Sequence, residues 1–286
     1  MITKSKPKLL LLGCGDIGIR LAHLANDRGY SVSGLRRRAD LLPEFIAPLP
    51  CDLSDQEQLR QALAPGFDFI VLTLTPTERS EKGYHHTYVH NVGNILQALN
   101  KSQIKPAQIL FVSSTSVYGH NAGEWVDESS STEPLSYNGQ LLMRAEQQFL
   151  NSEYLTSVIR FSGIYGPGRE RLINKVKQGD WNPADTHFTN RIHADDCAGV
   201  LAFLLEQCRR QTIEKVYLAS DNEPAPMNEV CAWMAKQLSV SLPDSNNMQM
   251  DSGGNKRCSN QRLRCGGYQF LYPSYREGYL KLLQNS

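Results

Sequence analysis

The clearest hydrophobic pattern lies at residues 7–38. Residues 9–12 form a continuous apolar run that ends in a glycine-containing turn, which is typical of a buried parallel strand. After the turn, apolar residues recur every three or four positions, as on one face of a helix: Ile17, Leu21, Leu24 and Ala25. Gly29 predicts the end of this helix, and 30–35 predicts a second strand. The segment therefore predicts a strand, a tight turn, a helix and another strand.

The same alternation continues along the chain. After a short third strand, a helix is predicted to begin with Ser54 or Asp55 as its cap. Apolar runs at 67–76 and 107–119 predict two further strands, and the amphipathic stretch at 88–99 predicts a helix between them. Alternating strands and helices predict an α/β fold, a Rossmann-type doubly wound parallel sheet. Such sheets bind ligands at the carboxyl ends of their strands.

The turn after the first strand indicates a binding function. Its glycines form the pattern G-x-G-x-x-G. A tight glycine turn lets the backbone approach a pyrophosphate, and the following helix offers free N–H groups and the positive end of its dipole. Because the pattern lies between a strand and a helix, it indicates dinucleotide binding rather than a purely structural turn. The predicted cofactor contacts here are Gly13, Gly15, Asp16, Ile17 and Gly18.

The pattern divides the chain into two parts. A dinucleotide-binding domain is predicted for 1–166, and 187–220 is predicted to return to it through a late strand at 215–220. The remaining segments, 167–186 and 221–286, predict a small C-terminal substrate-binding lobe. We expect the substrate between this lobe and the sheet, where clefts are commonly found.

The end of the second predicted strand indicates which nucleotide is bound. Sites for NAD usually place Asp or Glu there, on the ribose 2′-hydroxyl. Here Arg36, Arg37 and Arg38 stand at this point, and no carboxylate appears before Asp40. Guanidinium groups pair with a 2′-phosphate, which a carboxylate would repel. We predict that Arg36 and Arg37 contact the cofactor and that NADP(H) is preferred, with NAD(H) as the second choice. The simpler alternative is a basic turn in solvent.

Composition and charge exclude several classes of protein. The 286 residues are 41% hydrophobic and 21% charged, and the net charge of +1 gives no electrostatic footprint for nucleic acid or anionic lipid. The seven cysteines form no C-x-x-C pair, so we expect mostly buried thiols and no metal site. The first apolar run is too short for a membrane span and no signal peptide is visible, so we expect a cytoplasmic protein. A polar, glycine-containing stretch at 245–257 predicts a surface loop.

Several motifs, in their order along the chain, resemble one superfamily. SSTSVYG at 113–119 resembles a serine-bearing strand end, and IRFSGIYGPGR at 159–169 resembles the strand and loop beside a nicotinamide. NRIHADDCAGVLAFLL at 190–205 resembles a histidine–Asp–Asp helix start, and CDL at 51–53 resembles an adenine-contacting loop. From residue 7 to about 220 the chain is similar to the extended short-chain dehydrogenase/reductases, the superfamily of nucleotide-sugar epimerases and dehydratases.

The resemblance implies further site residues. Asp52 and Leu53 are implied as adenine contacts, and Thr73, in the fourth predicted strand, completes the predicted cofactor contacts. Leu12 stands where extended members carry the first glycine of G-x-x-G-x-x-G, which points to the atypical branch of the superfamily.

The resemblance also implies a catalytic tyrosine followed four residues later by a lysine, and here the lysine is missing. In the superfamily this lysine holds the nicotinamide ribose and lowers the pKa of the tyrosine, while a serine binds the substrate oxygen. Ser114 and Tyr137 match the serine and the tyrosine, and Leu141 stands at the lysine position. A phenol without a neighbouring cation is a poor base at neutral pH, but it can still donate a proton to a developing alkoxide.

No other register restores the pair. An alignment on Glu146 replaces tyrosine by Asn138 and lysine by Leu142. Arg144, seven residues beyond the tyrosine, is a candidate to stabilise a phenolate, although a surface arginine on an amphipathic helix is the simpler interpretation. Thr115 falls where dehydratases carry an acid, which disfavours dehydratase chemistry.

Two functions are consistent with these residues. The first is an NADP(H)-dependent reductase or epimerase that acts on a small hydroxylated or nucleotide-linked substrate. The second is a non-catalytic NADP(H)-binding sensor or scaffold, which the missing lysine favours. Homodimers are common in the superfamily. His85 and His86 fall in 78–88, which is predicted as a loop over the cleft, and His193 is predicted to cap a helix rather than to catalyse.

Overall fold

The computed structural model describes residues 5–243 and 254–284. Most of the loop predicted at 245–257 lies outside these residues. The strands of the described part are, in chain order, β1 (Lys8–Leu12), β2 (Ser31–Arg36), β3 (Ala47–Pro50), β4 (Phe69–Leu72), β5 (Gln108–Ser114), β6 (Glu124–Val126), β7 (Thr156–Phe161), β8 (Gly163–Tyr165), β9 (Phe188–Thr189), β10 (Arg191–His193), β11 (Val216–Ala219), β12 (Ala225–Pro226) and β13 (Lys256–Cys258).

Helices lie between many of these strands. A π-helix spans His85–His90, and 3₁₀ turns span Ala39–Leu41 and Thr115–Val117. The α-helices of the described part are α1 (Asp16–Asp27), α2 (Gln56–Leu63), α3 (Glu81–Tyr84), α4 (Asn91–Ser102), α5 (Tyr137–Leu150), α6 (Arg171–Lys177), α7 (Ala194–Cys208), α8 (Met227–Leu238), α9 (Gln261–Cys265) and α10 (Tyr275–Leu283). None of the helices in the described residues is long and apolar enough to cross a membrane.

Seven strands form one sheet in the order β11-β7-β5-β4-β1-β2-β3. β1 pairs in parallel with β2 on one side and with β4 on the other, and β2 with β3 and β4 with β5 are also parallel. The chain therefore runs outward from β1 to β3, returns to β4 beside β1, and runs outward in the opposite direction. This reversal is the topological switch point of a doubly wound α/β sheet, where ligands bind. The predicted fold class is confirmed.

The sequence pattern explains why the central elements form. Residues 9–12 are fully buried, because β1 lies in the middle of the sheet with both faces covered. α1 buries the apolar stripe that the three- and four-residue spacing predicts. At the start of α2, the carboxylate of Asp55 accepts hydrogen bonds from the backbone N–H groups of Glu57 and Gln58, which confirms this residue as the cap.

Some elements differ from their predicted limits. β5 ends at Ser114, where the chain enters a 3₁₀ turn, and not at the end of its apolar run. Segment 78–88 is not a loop, because it contains α3 and enters the π-helix, and the hydroxyl of Ser80 caps α3. The helix predicted at 88–99 begins as α4 only at Asn91, since the preceding residues belong to the π-helix. The late strand is confirmed as β11 at the edge of the sheet.

The chain forms two compact units. The first consists of residues up to 117 together with 134–160 and 198–217, and the second consists of 118–133, 161–197 and the residues from 218 onward. The first unit contains β1–β5 and α1–α5. The limits proposed above for a dinucleotide-binding domain and a substrate-binding lobe stay a prediction.

The second unit has its own core. Helices α6, α8 and α10 contribute to a cluster of buried side chains that includes Trp181, Tyr275 and Tyr279. The ring of Tyr165, at the end of β8, stacks on that of Tyr279 with centroids 4.4 Å apart. The short strands pair as β8 with β10 and β6 with β13 in parallel, and as β9 with β12 in antiparallel orientation. Tyr165 therefore belongs to the interior of this unit.

Candidate functional site

A tight turn joins β1 to α1 at the switch point of the sheet. Gly13 has φ of +75°, and its N–H donates a hydrogen bond to the carbonyl oxygen of Leu35 in β2 (3.0 Å). The hydroxyl of Thr73, just after β4, donates to the carbonyl oxygen of Gly13 (2.9 Å). A Cβ at position 13 would lie 3.0 Å from Leu74 Cδ2 and 3.2 Å from the Thr73 carbonyl oxygen. The turn is thus tied to both neighbours of β1, and its backbone requires glycine.

The start of α1 is open towards the space beside the turn. Gly15 is the cap residue and provides no side-chain hydrogen bond to the helix. A Cβ on Gly15 would meet only the Gly13 carbonyl oxygen, at 3.8 Å. The first N–H groups of the helix therefore remain available to an anion, and the helix dipole favours one there. This arrangement fits a pyrophosphate group.

A cleft of about 380 Å³ lies beside this turn, and the residues that line it all belong to the first unit. The predicted cofactor contacts that line it are Gly13, Gly15, Arg36, Arg37, Asp52, Leu53 and Thr73. The other three predicted contacts lie in the first turn of α1 and not on the lining. Ile17 and Gly18 are buried there, while Asp16 forms an ion pair with Arg20 (2.8 Å). All ten cofactor assignments stay predictions.

Several lining residues had no clear signal in the sequence. Thr87 and Asn91 come from the π-helix and the start of α4, and both are 7% exposed. A polar side chain on the buried face of an amphipathic helix is the signal that marks such positions. Further lining residues that had no predicted contact role are Cys14, Leu35, Arg38, Leu74, Thr75 and Thr77.

Positive charge lines the cleft where β2 ends. Arg36 Nη1 donates a hydrogen bond to the carbonyl oxygen of Cys14 in the glycine turn (3.2 Å), which holds this guanidinium group against the turn. Arg37 is exposed on the same lining. Hydrogen bonds from Ser54 lower the pKa of the Asp52 carboxyl group, and the nearby charge of Arg37 lowers it further. Arg37 and Asp52 both line the cleft.

The two predicted catalytic residues are not on this lining. Ser114 ends β5, and its Oγ accepts a hydrogen bond from the N–H of Ser116 (3.2 Å). Tyr137 begins α5, is 40% exposed, and donates its hydroxyl hydrogen to the carbonyl oxygen of Arg79 (3.1 Å). Its ring meets that of Tyr84 edge to face, with centroids 5.7 Å apart. The catalytic roles of Ser114 and Tyr137 stay a prediction.

The position of the missing lysine holds a buried apolar side chain. Leu141 is 5% exposed, and together with Leu142, Ala145 and Phe149 it forms the core face of α5. Arg144 is exposed, in agreement with its interpretation as a surface residue of an amphipathic helix. The side chain four residues after Tyr137 is therefore part of the hydrophobic core.

A buried ion pair joins β5, α5 and β7. The carboxylate of Glu146 accepts hydrogen bonds from Ser113 Oγ (2.6 Å), Arg160 Nη2 (2.6 Å) and Arg160 Nε (3.1 Å). Glu146 is 2% exposed, Ser113 is 4% exposed and Arg160 is 5% exposed. A buried carboxylate needs such partners to offset its loss of hydration. No sequence pattern pointed to this pairing, although a carboxylate on the core face of an amphipathic helix was a signal.

In the second unit, His193 has a structural role. Its Nδ1 accepts a hydrogen bond from the N–H of Asp195 (3.1 Å), at the start of α7. Its ring packs against Tyr165 and Tyr272, with centroids 5.2 and 4.0 Å away, and the residue is 2% exposed. The carboxylate of Asp196 accepts hydrogen bonds from the N–H groups of residues 271 and 272. The predicted capping role of His193 is confirmed.

Fold and site together define a class of protein. A parallel, doubly wound sheet with a glycine turn and a cleft at its switch point is the architecture of Rossmann-type dinucleotide-binding proteins. Within this class, the sequence model of the NAD dependent epimerase/dehydratase family matches residues 9–220, which is more than half of the chain. The protein belongs to the NAD-dependent epimerase/dehydratase family, and the resemblance to extended short-chain dehydrogenase/reductases is confirmed.

Solved structures with this fold extend over nearly the whole chain. A Methylobacillus flagellatus protein, provisionally described as an NAD-dependent epimerase/dehydratase, is 34% identical, with 99% of each chain covered and a TM-score of 0.84. UDP-glucose 4-epimerase from Thermus thermophilus, in complex with NAD, is 17% identical, with 97% of this chain and 98% of that chain covered and a TM-score of 0.79.

A third similar structure is UDP-glucuronic acid 4-epimerase from Bacillus cereus, in complex with UDP-glucuronic acid and NAD. It is 18% identical, with 97% of this chain and 99% of that chain covered and a TM-score of 0.79. At such identities the two epimerases show the fold that they share with this chain. No curated protein matches the chain.

Proposed function

We propose that this protein binds NADP(H) in the cleft of the first unit and acts as a reductase or epimerase on a small hydroxylated or nucleotide-linked substrate. The observation that carries the proposal is that one cleft contains both the open glycine turn and the arginines that end β2. The proposed setting is cytoplasmic, with a small-molecule substrate, a homodimeric assembly, and neither nucleic acid nor a membrane as partner.

The residues of the cleft fit the parts of a dinucleotide. The N–H groups at the start of α1 suit the pyrophosphate, and Asp52 and Leu53 suit the adenine ring. The Arg36 guanidinium group is already held against the glycine turn, and Arg37 adds a second guanidinium group beside it. When bound, the cofactor supplies a nicotinamide ring that accepts or donates hydride. The chain supplies binding, orientation and proton transfer.

Preference for NADP(H) rests on the arginines. A 2′-phosphate carries negative charge that a planar guanidinium group can bind through two hydrogen bonds, whereas the 2′-hydroxyl of NAD(H) offers no such charge. In NAD sites a carboxylate usually occupies the end of this strand. Here the first carboxylate along the chain after the arginines is that of Asp40. It is exposed, and its Oδ2 lies 3.7 Å from Arg38 Nη2.

Replacement of Arg37 by alanine tests this preference. We expect the Kd for NADPH to rise about tenfold, because one charged hydrogen-bond partner of the 2′-phosphate is lost. The Kd for NADH should stay within about twofold, since it lacks that phosphate. Fluorescence titration of both nucleotides against the wild type and the variant measures the effect.

The matched control for Arg37→Ala is Arg210→Ala, which removes an exposed arginine that does not line the cleft. This control should bind both nucleotides as the wild type does. Tighter binding of NADH than of NADPH by the wild type, or an equal loss for both nucleotides in Arg37→Ala, would contradict the assignment.

For proton transfer we propose the two residues that the superfamily resemblance implies. Ser114 would bind the substrate oxygen, and Tyr137 would donate a proton to it. The hydroxyl of Tyr137 already acts as a donor, towards the carbonyl oxygen of Arg79. Because Leu141 provides no cation beside the phenol, we assign Tyr137 the role of acid rather than base. The expected turnover is slow for the same reason.

Replacement of Tyr137 by phenylalanine removes the proposed acid and little else. We expect turnover to fall at least about 100-fold, which is the usual contribution of a general acid, while the Kd for NADPH stays unchanged. NADPH oxidation is followed with a panel of carbonyl compounds and sugar nucleotides. Tyr154→Phe is the control, since the Tyr154 hydroxyl donates to Asn100 away from the cleft. Full turnover by Tyr137→Phe would exclude this role.

A second candidate function is a non-catalytic NADP(H)-binding sensor or scaffold. The observation that favours it is the burial of Leu141 in the core, because this position is then committed to packing and not to a cofactor contact. A sensor would bind NADPH with the same dependence on Arg37 and would oxidise none of it with any member of the panel. A turnover signal above the no-enzyme rate would contradict this function.

A further inference from the structure

The π-helix brings a pair of stacked histidines to the cofactor cleft. His86 is exposed and lines the cleft, and its ring stacks on that of His90 with centroids 5.3 Å apart and an angle of 16° between the ring planes. The neighbouring His85 is also exposed but does not line the cleft. π-helices are rare and often occur at functional sites. This one replaces the loop that the sequence pattern predicted.

Hydrogen bonds tie this pair to the loop at 51–53. Asn94 Nδ2 donates to the carbonyl oxygen of Leu53 (3.0 Å) and lies 3.4 Å from His90 Nδ1. The carbonyl oxygen of Asn94 in turn accepts from Gln56 Nε2 (3.2 Å). His86 and Asp52 both line the cleft. The loop and His90 are therefore linked through Asn94, and His86, which stacks on His90, lines the same cleft as the loop.

We propose that His86 is the platform on which the adenine ring of the dinucleotide stacks, with His90 supporting it from behind. The inference rests on the proposed binding of NADP(H) in this cleft. His90 covers one face of the imidazole, which leaves the opposite face for a second planar ring. Stacking on an aromatic side chain suits a purine, because it uses the π-face and leaves the polar edge of the base for the 51–53 loop.

Metal binding is the other chemistry that a histidine pair can serve. Among the described residues, no group of three or more His, Cys, Asp or Glu side chains is arranged to hold a metal ion. Because the two rings stack nearly in parallel, their π-faces oppose each other, whereas their nitrogen lone pairs lie in the ring planes and do not converge on a common point between the rings. The geometry therefore supports stacking.

Isothermal titration calorimetry with fragments of the cofactor tests the platform without any need for turnover. The probes are adenosine 2′,5′-bisphosphate, AMP and nicotinamide mononucleotide. We expect His86→Ala to raise the Kd for adenosine 2′,5′-bisphosphate and the Kd for AMP by the same factor, about tenfold, because both contain the adenine ring. Binding of nicotinamide mononucleotide should not change. His86→Phe should stay within about threefold of the wild type, because phenylalanine keeps a flat ring.

Two further variants sharpen the comparison. His85→Ala removes the adjacent exposed histidine and should bind every probe as the wild type does. Arg37→Ala should weaken the bisphosphate and leave AMP unchanged, which separates contact with the 2′-phosphate from stacking on the base. Far-ultraviolet circular dichroism and thermal melting verify that each variant is folded.

Several outcomes would overturn the platform. The platform would be excluded if His86→Ala bound the adenine probes as tightly as the wild type. It would also be excluded if His86→Phe and His86→Ala weakened binding equally, or if His86→Ala weakened binding of the bisphosphate alone. In those cases NADPH binding by the wild type would leave the proposed function intact. Failure of the wild type to bind either NADPH or adenosine 2′,5′-bisphosphate would instead overturn the proposed function itself.

Discussion

Replacement of Arg160 by leucine is expected to lower the free energy of unfolding by about 3–5 kcal/mol, because it leaves the carboxylate of Glu146 buried without its cation. The guanidinium group of Arg160 supplies hydrogen bonds to both carboxylate oxygens, and among the described residues only the hydroxyl of Ser113 would remain as a partner. The decrease in the free energy of unfolding should be larger than lost packing alone would cause, since leucine fills much of the space of the arginine stem. Urea unfolding followed by circular dichroism measures the effect.

Two control variants distinguish the buried charge from other causes. The double variant Arg160→Leu with Glu146→Leu removes both charges and should recover most of the lost stability, as replacement of a buried pair by apolar side chains often does. Arg60→Ala breaks the exposed ion pair with Glu57 and should change the unfolding midpoint by no measurable amount. A loss below about 1 kcal/mol in Arg160→Leu, as for an exposed pair, would contradict the importance assigned to this network.

Replacement of Gly13 by alanine is expected to weaken NADPH binding by about 100-fold, since a shift of the turn by about 1 Å misplaces the groups that hold the pyrophosphate. The new Cβ would lie 3.0 Å from Leu74 Cδ2 and 3.2 Å from the Thr73 carbonyl oxygen, so the turn must move. The φ of +75° adds backbone strain of about 1–2 kcal/mol for an alanine. Fluorescence titration and urea unfolding measure the two effects separately.

Gly29→Ala is the matched control for Gly13→Ala. Gly29 has φ of +83°, and a Cβ there would meet nothing within 4 Å. It should therefore carry the same backbone strain of about 1–2 kcal/mol and leave the Kd for NADPH unchanged. If Gly13→Ala bound NADPH within about threefold of the wild type, the close approach at the turn would have no part in binding.

Local signals made the centre of the fold predictable. The leucine run of β1, the glycine turn and the periodic apolar stripe of α1 are contiguous in sequence, and each determines its own structure. The cap at Asp55 is a signal of the same kind. Seven of the ten predicted cofactor contacts line the cleft. They come together there because the carboxyl ends of neighbouring strands meet at the switch point.

Features that depend on distant partners were not predictable. Glu146 and Arg160 lie 14 residues apart on different elements, and only the packing of α5 on the sheet brings them together. Tyr137 and the carbonyl oxygen of Arg79 are separated by 58 residues. The π-helix has the same residue types as an ordinary amphipathic helix, so the sequence predicted a loop at 78–88 and an α-helix at 88–99. It gave no reason to expect that the rings of His86 and His90 would stack.

The strand order also has a consequence for synthesis of the protein. β11, formed by Val216–Ala219, occupies the edge of the sheet beside β7, although 54 residues separate the end of β7 at Phe161 from the start of β11. A nascent chain on the ribosome therefore carries β7 with one side unpaired while this intervening segment is being translated. Unpaired strand edges are templates for association between chains. Chains truncated before Val216 should accordingly depend on chaperones and aggregate where the full-length protein does not.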